Sequence, residues 1–378
     1  MSGHSATHAA TAAVVREPAG PFHLEQVELS GPRPNEVLVE VVASGMCHTD
    51  LLVRDSRPDS LPAVLGHEGA GIVRETGSAV RGIATGDKVV LSFPSCGECR
   101  RCLTGRSAYC DSIAQLKFGC SRADGSVATT DLGGRPVGDH FFGQSSFGTL
   151  CVASARSVVK VPDDTDLLLA GPLACGVQTG AGAVLDVLRV TPGSSVAVFG
   201  TGSVGLCAVM AATLSGATTI IAVNRRASRL ELAAEFGATH LVSPDQTDPV
   251  EAIRDATGGR GVDFVLETTG VPEVLTQAVR SLDSLGTCAY VGTAPPGVSG
   301  GILMLESMTK GLTVRGVLQG DSTPSQMIPR LLRLHQRGLL PFDRLLTHYR
   351  LDEINQAAAD CSSGNVVKPV LVMDGGAQ

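Results

Sequence analysis

Residues 195–205 read SVAVFGTGSVG, an apolar run broken by glycines at 200, 202 and 205 and followed by the apolar stretch LCAVMAATLSG. The pattern predicts a strand, a tight turn and a helix. Gly200 permits the turn, Gly202 lets the backbone approach a pyrophosphate, and Gly205 allows the helix to pack closely on the strand. The first helical residues, Ser203 and Val204, then face the anion. A glycine-rich turn with no ligand is the alternative, and the strand before and helix after the motif weigh against it.

Outward from this motif the same alternation continues. TTIIAVN (218–224), VDFVLETTG (262–270) and TCAYVGT (287–293) read as strands; ASRLELAAEFGA (227–238) and PEVLTQAVRSLDSLG (272–286) read as helices. Strands alternating with helices imply βαβ units and a parallel sheet. Upstream, EVLVEVVAS (36–44), GIVRETG (71–77), DKVVLSF (87–93) and SVVKVP (157–162) are short β-rich runs punctuated by turn residues, as in a compact, mainly antiparallel, barrel-like domain. Past residue 320 an amphipathic helix in SQMIPRLLRLHQRG and a last strand KPVLVM are expected to close back onto that first domain. A length of 378 residues also suits two domains better than one.

A net charge of −7 with a pI near 5.7 argues against nucleic-acid binding, which normally calls for a basic surface. No apolar run reaches the ~18 residues of a membrane span. The N-terminus, MSGHSATHAATAAVVREPAG, lacks a cationic segment leading into an unbroken apolar one, so the expected location is the cytoplasm. In such a setting eleven cysteines point to metal binding or burial rather than to disulfides. Cys207 and Cys288 read as small buried hydrophobes.

Four cysteines cluster in CGECRRCLTGRSAYC: Cys96, Cys99, Cys102 and Cys110. Four thiolates this close can enclose one Zn²⁺ with no open position, which makes the site structural. A dispersed set, Cys47 in SGMCHTD, His67 and Glu68 in LGHEGAG and Cys175 in PLACGVQTG, offers two thiolates and an imidazole, a zinc site with a fourth position free.

Motifs of this kind in this order resemble the zinc-dependent medium-chain alcohol dehydrogenases, and FFGQSSFGTL, CGVQTGAGAV and VFGTGSVGLCAVMAA are similar in particular to the aryl-alcohol (benzyl alcohol) branch. The resemblance runs from about Val14 to Met373. It implies a GroES-like, mainly-β catalytic domain (residues 1–176 and 320–378) and a Rossmann, doubly wound parallel-sheet cofactor domain (177–319). It makes Cys47, His67 and Cys175 the catalytic zinc ligands, with Asp50 orienting His67 and Glu68 behind the metal in reach of ligand exchange. Thr49 stands where the family places the hydroxyl that relays the substrate's proton. His48, Thr179 and Lys368 match positions near the cofactor, and Val291 joins the nucleotide-binding set. Phe93, Phe141 and Phe142 would wall the substrate pocket, unless HFFG simply packs the barrel. Many relatives end the proton relay on a histidine a few residues past the first cysteine ligand; here Leu51 and Leu52 follow Asp50, so His48 or solvent must substitute.

The implied function is interconversion of primary aromatic or allylic alcohols and their aldehydes by hydride transfer to or from a nicotinamide cofactor. Two zinc ions per chain and a homodimer, or a homotetramer, are expected. The alternatives are a thiol-dependent formaldehyde dehydrogenase of the same family and a zinc-stabilised nucleotide-binding protein without turnover. Asn224 ends the second strand of the nucleotide unit, where an NAD enzyme usually places an acid on the ribose 2′-hydroxyl. With Arg225 and Arg226 following, NADP(H) is favoured. NAD(H) remains the alternative, with the Asn224 amide on the 2′-hydroxyl and both arginines in solvent.

Overall fold

The computed structural model of the chain describes residues 7–295 and 297–373; the outer ends of the expected first domain, residues 1–6 and 374–378, lie outside them. Two compact units result. One runs to Cys175 and takes in Thr323–Pro329 and the chain from Asp343 onward, and the other holds Gly176–Ser322 and Arg330–Phe342. The division therefore differs from a single return at residue 320. The segment 330–342 groups with the second unit, where Arg330 Nη1 donates to Asp186 Oδ1 at 2.8 Å.

The second unit is built on a six-stranded sheet that runs His240–Val242, Thr219–Val223, Ser195–Phe199, Val262–Glu267, Leu282–Tyr290 and Thr313–Gly316, or 3-2-1-4-5-6 in chain order. Every neighbouring pair is parallel. Ala197, Phe199, Ile221, Val223 and Val265 form its buried core, which is why these strands read as unbroken apolar runs. The helix expected over 272–286 stops at Arg280. Val262 N donates to Ser281 O, and Leu282 pairs with Val262, so the sheet captures the chain there. Two further helices, Pro249–Ala256 and Met304–Lys310, complete the connections. The first opens on Asp248, whose Oδ1 accepts from Val250 N and Glu251 N.

In the first unit the strand Glu36–Gly45 is the organiser. It pairs antiparallel with Glu68–Thr76, Leu150–Ser154 and Lys368–Val372, and Val37, Val39 and Val41 on it are buried. Each such side chain contributes roughly 1.5–3 kcal/mol of apolar burial. A second sheet contains Thr7–Val15, paired antiparallel with Phe22–Ser30. The register matters for function, because Gly45 lies opposite both Glu68 and Val370. The end of the central strand therefore carries Met46 and Cys47 to His67, Glu68 and Lys368. Among the described residues no single helix is long and apolar enough to cross a membrane.

Candidate metal centres and nucleotide cradle

Cys47 ends the central strand's run and caps the helix His48–Ser56; His67 immediately precedes the strand Glu68–Thr76; Cys175 follows the short helical turn Gly171–Ala174. Ligand atoms of Cys47, His67, Glu68 and Cys175 all lie within 4.8 Å of one another. Asp50, completely buried, ties two of the approaching segments together. Its Oδ1 accepts from His67 Nδ1 at 2.8 Å and from Gly66 N at 3.2 Å, and its Oδ2 accepts from Cys47 N at 2.8 Å. With Nδ1 so engaged, His67 presents Nε2 to the cluster. That Nε2 is buried without a hydrogen-bond partner, and so is Glu68 Oε2. Orphaned polar atoms of this kind, which become donors once deprotonated, fit a divalent metal beside two thiols.

Burial works to lower the imidazole's pKa, yet the Asp50 carboxylate raises it to about 10. A hydrogen bond from Cys175 holds the Cys47 thiol well below its ordinary range against the opposing effect of burial, with Lys368 and His67 assisting. The same hydrogen bond, with burial, pushes Cys175 up. Burial raises Glu68, opposed by Lys368. Lys368, a candidate cofactor contact by sequence, is buried here, with Nζ 2.8 Å from Glu68 Oε1 and 3.1 Å from Met46 O. Thr49 Oγ1 lies 3.8 Å from Cys47 Sγ. His48 is exposed, with Nδ1 3.9 Å from Cys361 Sγ.

An aromatic cluster lies against His67. The Phe142 ring stacks on the imidazole with centroids 4.4 Å apart, and Phe141 meets it edge-on at 5.7 Å. Phe93 is also buried, and Phe118, not singled out by sequence, packs against both Phe141 and Phe142. Phe142 and His140 hold positive φ angles of 52° and 57°, a conformation that costs non-glycine residues of order 1 kcal/mol or more. Hydrogen bonds hold the loop in place. Gln144 Nε2 donates to His67 O, Gln144 Oε1 accepts from Gly69 N, and Ser145 Oγ donates to Val64 O. The rings therefore pack the barrel and touch a candidate ligand at once. Beside them Lys117 is buried, its Nζ without a hydrogen-bond partner and 5.2 Å from the centroids of both Phe93 and Phe142. Burial lowers its pKa to about 8.

The second cysteine cluster sits on a loop. Ligand atoms of Cys96, Cys99, Cys102 and Cys110 also lie within 4.8 Å of one another. Cys99 and Cys102 sulfurs are 3.5 Å apart and those of Cys96 and Cys102 3.9 Å, close to the roughly 3.8 Å edge of a tetrahedron with 2.3 Å bonds. Backbone amides 3.3–3.4 Å away donate to two of the sulfurs. Such amide bonds lower Cys99 to about 6, while burial raises Cys102 to about 12. The helix Arg100–Leu103 in this loop buries no residue.

In the second unit each glycine of the motif has a distinct environment. Gly200 has φ +88°; a Cβ on Gly205 would lie 1.9 Å from Gly200 O; a Cβ on Gly202 would meet nothing within 4 Å. Gly202 caps the twelve-residue helix Ser203–Leu214, so the space before it is a cradle that a side chain would fill. Hydroxyls of Ser203 and of Thr201, a residue the glycine pattern does not single out, are buried there without partners. Val204 is the second residue of that helix, and Thr179 is buried on Gly176–Gly182. Val291 N donates to Glu267 O past the fifth strand. At the end of the second strand Asn224 Oδ1 accepts from Arg226 N at 2.9 Å. Arg225 is 80% exposed, its Nε 3.7 Å from Asp245 Oδ1. Cys207 and Cys288 are fully buried, as expected of small hydrophobes.

Residues 33–163 match the alcohol dehydrogenase GroES-like domain and residues 203–337 the zinc-binding dehydrogenase domain. The chain is 45% identical to a geraniol dehydrogenase from Castellaniella defragrans, over 96% of this chain and 97% of the relative. Among solved structures, benzyl alcohol dehydrogenase from Acinetobacter calcoaceticus superimposes with a TM-score of 0.94 at 45% identity, covering 97% of this chain and 99% of that one. An alcohol dehydrogenase zinc-binding domain protein from Burkholderia ambifaria gives 0.95 at 51% identity, with the same coverage. A strand order of 3-2-1-4-5-6 behind the glycine motif, two clusters of soft ligands in the β-rich unit and similarity along nearly the whole chain lead to one assignment: the chain belongs to the zinc-dependent medium-chain alcohol dehydrogenases.

Proposed function

We propose that this alcohol dehydrogenase interconverts primary aromatic or allylic alcohols and their aldehydes, with NADP(H) as its favoured cofactor. The observation that carries the substrate reading is the aromatic cluster in which Phe141 and Phe142 meet His67 and Phe118 packs behind them, with Phe93 across Lys117 from Phe142. Geraniol and benzyl alcohol, named for two relatives, are primary allylic and benzylic alcohols, and a flat unsaturated group suits such a wall.

Cys47, His67 and Cys175 would hold one zinc, with Glu68 behind it, and Cys96, Cys99, Cys102 and Cys110 the other. Bound zinc supplies Lewis acidity that lowers the pKa of a substrate alcohol, and a bound nicotinamide supplies the hydride acceptor. The chain's own residues do the rest. Asp50 keeps His67 Nδ1 protonated and its ring fixed. Thr49 Oγ1 takes the alcohol's proton and passes it outward. No imidazole follows Asp50, so the exposed His48 or solvent completes the relay. The phenylalanines exclude water from the reacting carbon. A kcat/KM for ethanol equal to that for benzyl alcohol would sink the substrate reading.

For the cofactor, Asn224 offers no carboxylate to repel a 2′-phosphate, and its carbonyl oxygen is already engaged by the Arg226 amide. Arg225 has only a long, exposed pairing with Asp245, which holds it weakly and leaves it able to turn to a phosphate. The test is kcat/KM with NADP⁺ and NAD⁺ in the wild type, Arg225→Ala and Arg226→Ala. NAD⁺ preference in the wild type, or a cofactor ratio unmoved in both variants, refutes the reading. We further infer a homodimer through the Thr313–Gly316 sheet edge. That edge is unpaired in the sheet order, and Met304, Leu305 and Met308, shortly before it in sequence, are each more than 70% exposed, as is Leu285 within the neighbouring strand. A monomeric mass by light scattering would dismiss it.

A further inference from the structure

Lys117 is buried to 2% exposure on the helix Ile113–Phe118, and among the described residues its ammonium has neither a hydrogen-bond acceptor nor a carboxylate partner, the one charge acting on it being that of Cys175. It faces two phenylalanine rings, Phe93 and Phe142, at 5.2 Å from each. An aromatic face attracts a cation, but burying an ammonium with no acceptor costs more than such contacts return. A methionine would fill the same apolar space without that cost. The neighbourhood is also not neutral ground, since the Phe142 ring that meets the ammonium stacks on His67 at 4.4 Å. The ammonium and the candidate ligand's imidazole therefore meet the same phenylalanine ring.

We propose that Lys117 is a specificity-determining residue, selecting benzylic alcohols and aldehydes whose ring carries an oxygen acceptor distal to the reacting carbon. The proposal rests on the aromatic-alcohol reading above and narrows it: the substrate brings the acceptor that the protein withholds. A ring hydroxyl accepts a charge-assisted hydrogen bond from Nζ; a ring methyl group of similar size leaves the ammonium unpaired. A hydrogen bond to a charged group in a site closed to water discriminates about ten- to a hundredfold between such a pair. Because the contact lies away from the reacting carbon, it acts on ground and transition states alike and shows mainly in KM.

The experiment compares kcat/KM for 4-hydroxybenzyl and 4-methylbenzyl alcohol in the zinc-loaded wild type, Lys117→Met and Lys117→Arg. The wild type should prefer the hydroxyl compound at least tenfold, chiefly through KM. Lys117→Met should bring the ratio close to one, and Lys117→Arg should retain part of the preference. A wild-type ratio at or below one overturns the proposal without reference to any variant, as does a ratio unchanged in a folded Lys117→Met. Turnover of neither benzylic alcohol, with aliphatic alcohols accepted, overturns the aromatic reading itself and this proposal with it. Good turnover of the methyl compound with no hydroxyl preference overturns only the role of Lys117.

Discussion

Cys96, Cys99, Cys102 and Cys110 sit on a loop whose short helix buries nothing, whereas Cys47, His67, Glu68 and Cys175 are gathered where three strands meet, with Asp50, His67 and Glu68 almost wholly buried. The loop holds its sulfurs with backbone amides and with one another. The strand-end site holds its ligands through a carboxylate that bonds two backbone amides and a ring, and through a buried Lys368–Glu68 pair. In the first case a metal would supplement the small core that the loop has, in which only Ala108 and Cys110 of residues 96–110 are buried. In the second the fold assembles the ligands, and a metal would add chemistry to a scaffold already in place.

The sharpest way to break this comparison is to remove one sulfur from each cluster. Cys47→Ala is expected to lower kcat/KM about a thousandfold or more, since metal Lewis acidity is worth several kcal/mol, while the melting temperature and nucleotide binding hold. Retention of even a tenth of wild-type turnover would refute the catalytic assignment. Cys99→Ala should do the converse first, opening residues 96–112 to limited proteolysis and promoting aggregation. A Cys99→Ala protein with a protease-resistant loop would erase the distinction. Asp50→Ala tests whether the scaffold matters: metal affinity, read by competition with a chromophoric chelator, should fall about ten- to a hundredfold. Next in size, Arg225→Ala should shift the NADP⁺-to-NAD⁺ ratio of kcat/KM by about tenfold.

The smallest expected effect takes metal out of the comparison. His140 is buried beside Asp139 and Glu36, and although burial pulls its pKa down, Asp139 raises it to about 9. A pKa raised on folding stabilises fully below the unfolded value of about 6.5 and loses that contribution as pH rises through 9. Roughly 3 kcal/mol should disappear across that interval. The melting temperature of the wild type should therefore exceed that of His140→Gln by a few degrees at pH 6 and converge with it near pH 10. A constant gap across that range would count against this account.

How much of this was legible beforehand follows from where the physics is local. Gly200, Gly202 and Gly205 carry three separate requirements within six residues, and four cysteines within fifteen residues leave little besides a metal to explain them, so both could be read directly. Cys47, His67 and Cys175 are far apart in sequence, and each alone reads as packing, so their donor chemistry suggests a set that resemblance strengthens; strand register is what brings Cys47 to His67. Lys117 had no signal at all, because a lysine on a short helix looks like any exposed lysine until the rings around it are known. The strand from Leu282 was hidden for the opposite reason: SLDSLG continues a helical pattern well enough, and only pairing with Val262 overrides it. The motif's own Thr201 carries no signal, because a glycine pattern says nothing of the hydroxyls between the glycines.

The spacing of sulfurs on the exposed loop has one more consequence, and it concerns shelf life. A thiol near pKa 6 stands 3.5 Å from a second thiol, so at neutral pH the metal-free loop holds a thiolate beside its own resolving partner. Peroxide would convert Cys99 to a sulfenic acid, and Cys102 would then displace water to close a disulfide. Coordination blocks that route by engaging both sulfurs. Chelator-treated protein exposed to peroxide should accordingly lose two hydrogens in mass within the peptide spanning residues 96–110, ahead of any change at the enclosed Cys47 and Cys175. Reductant should restore the mass, and only then should zinc restore the loop. A preparation stripped of metal in air would age from this loop inward.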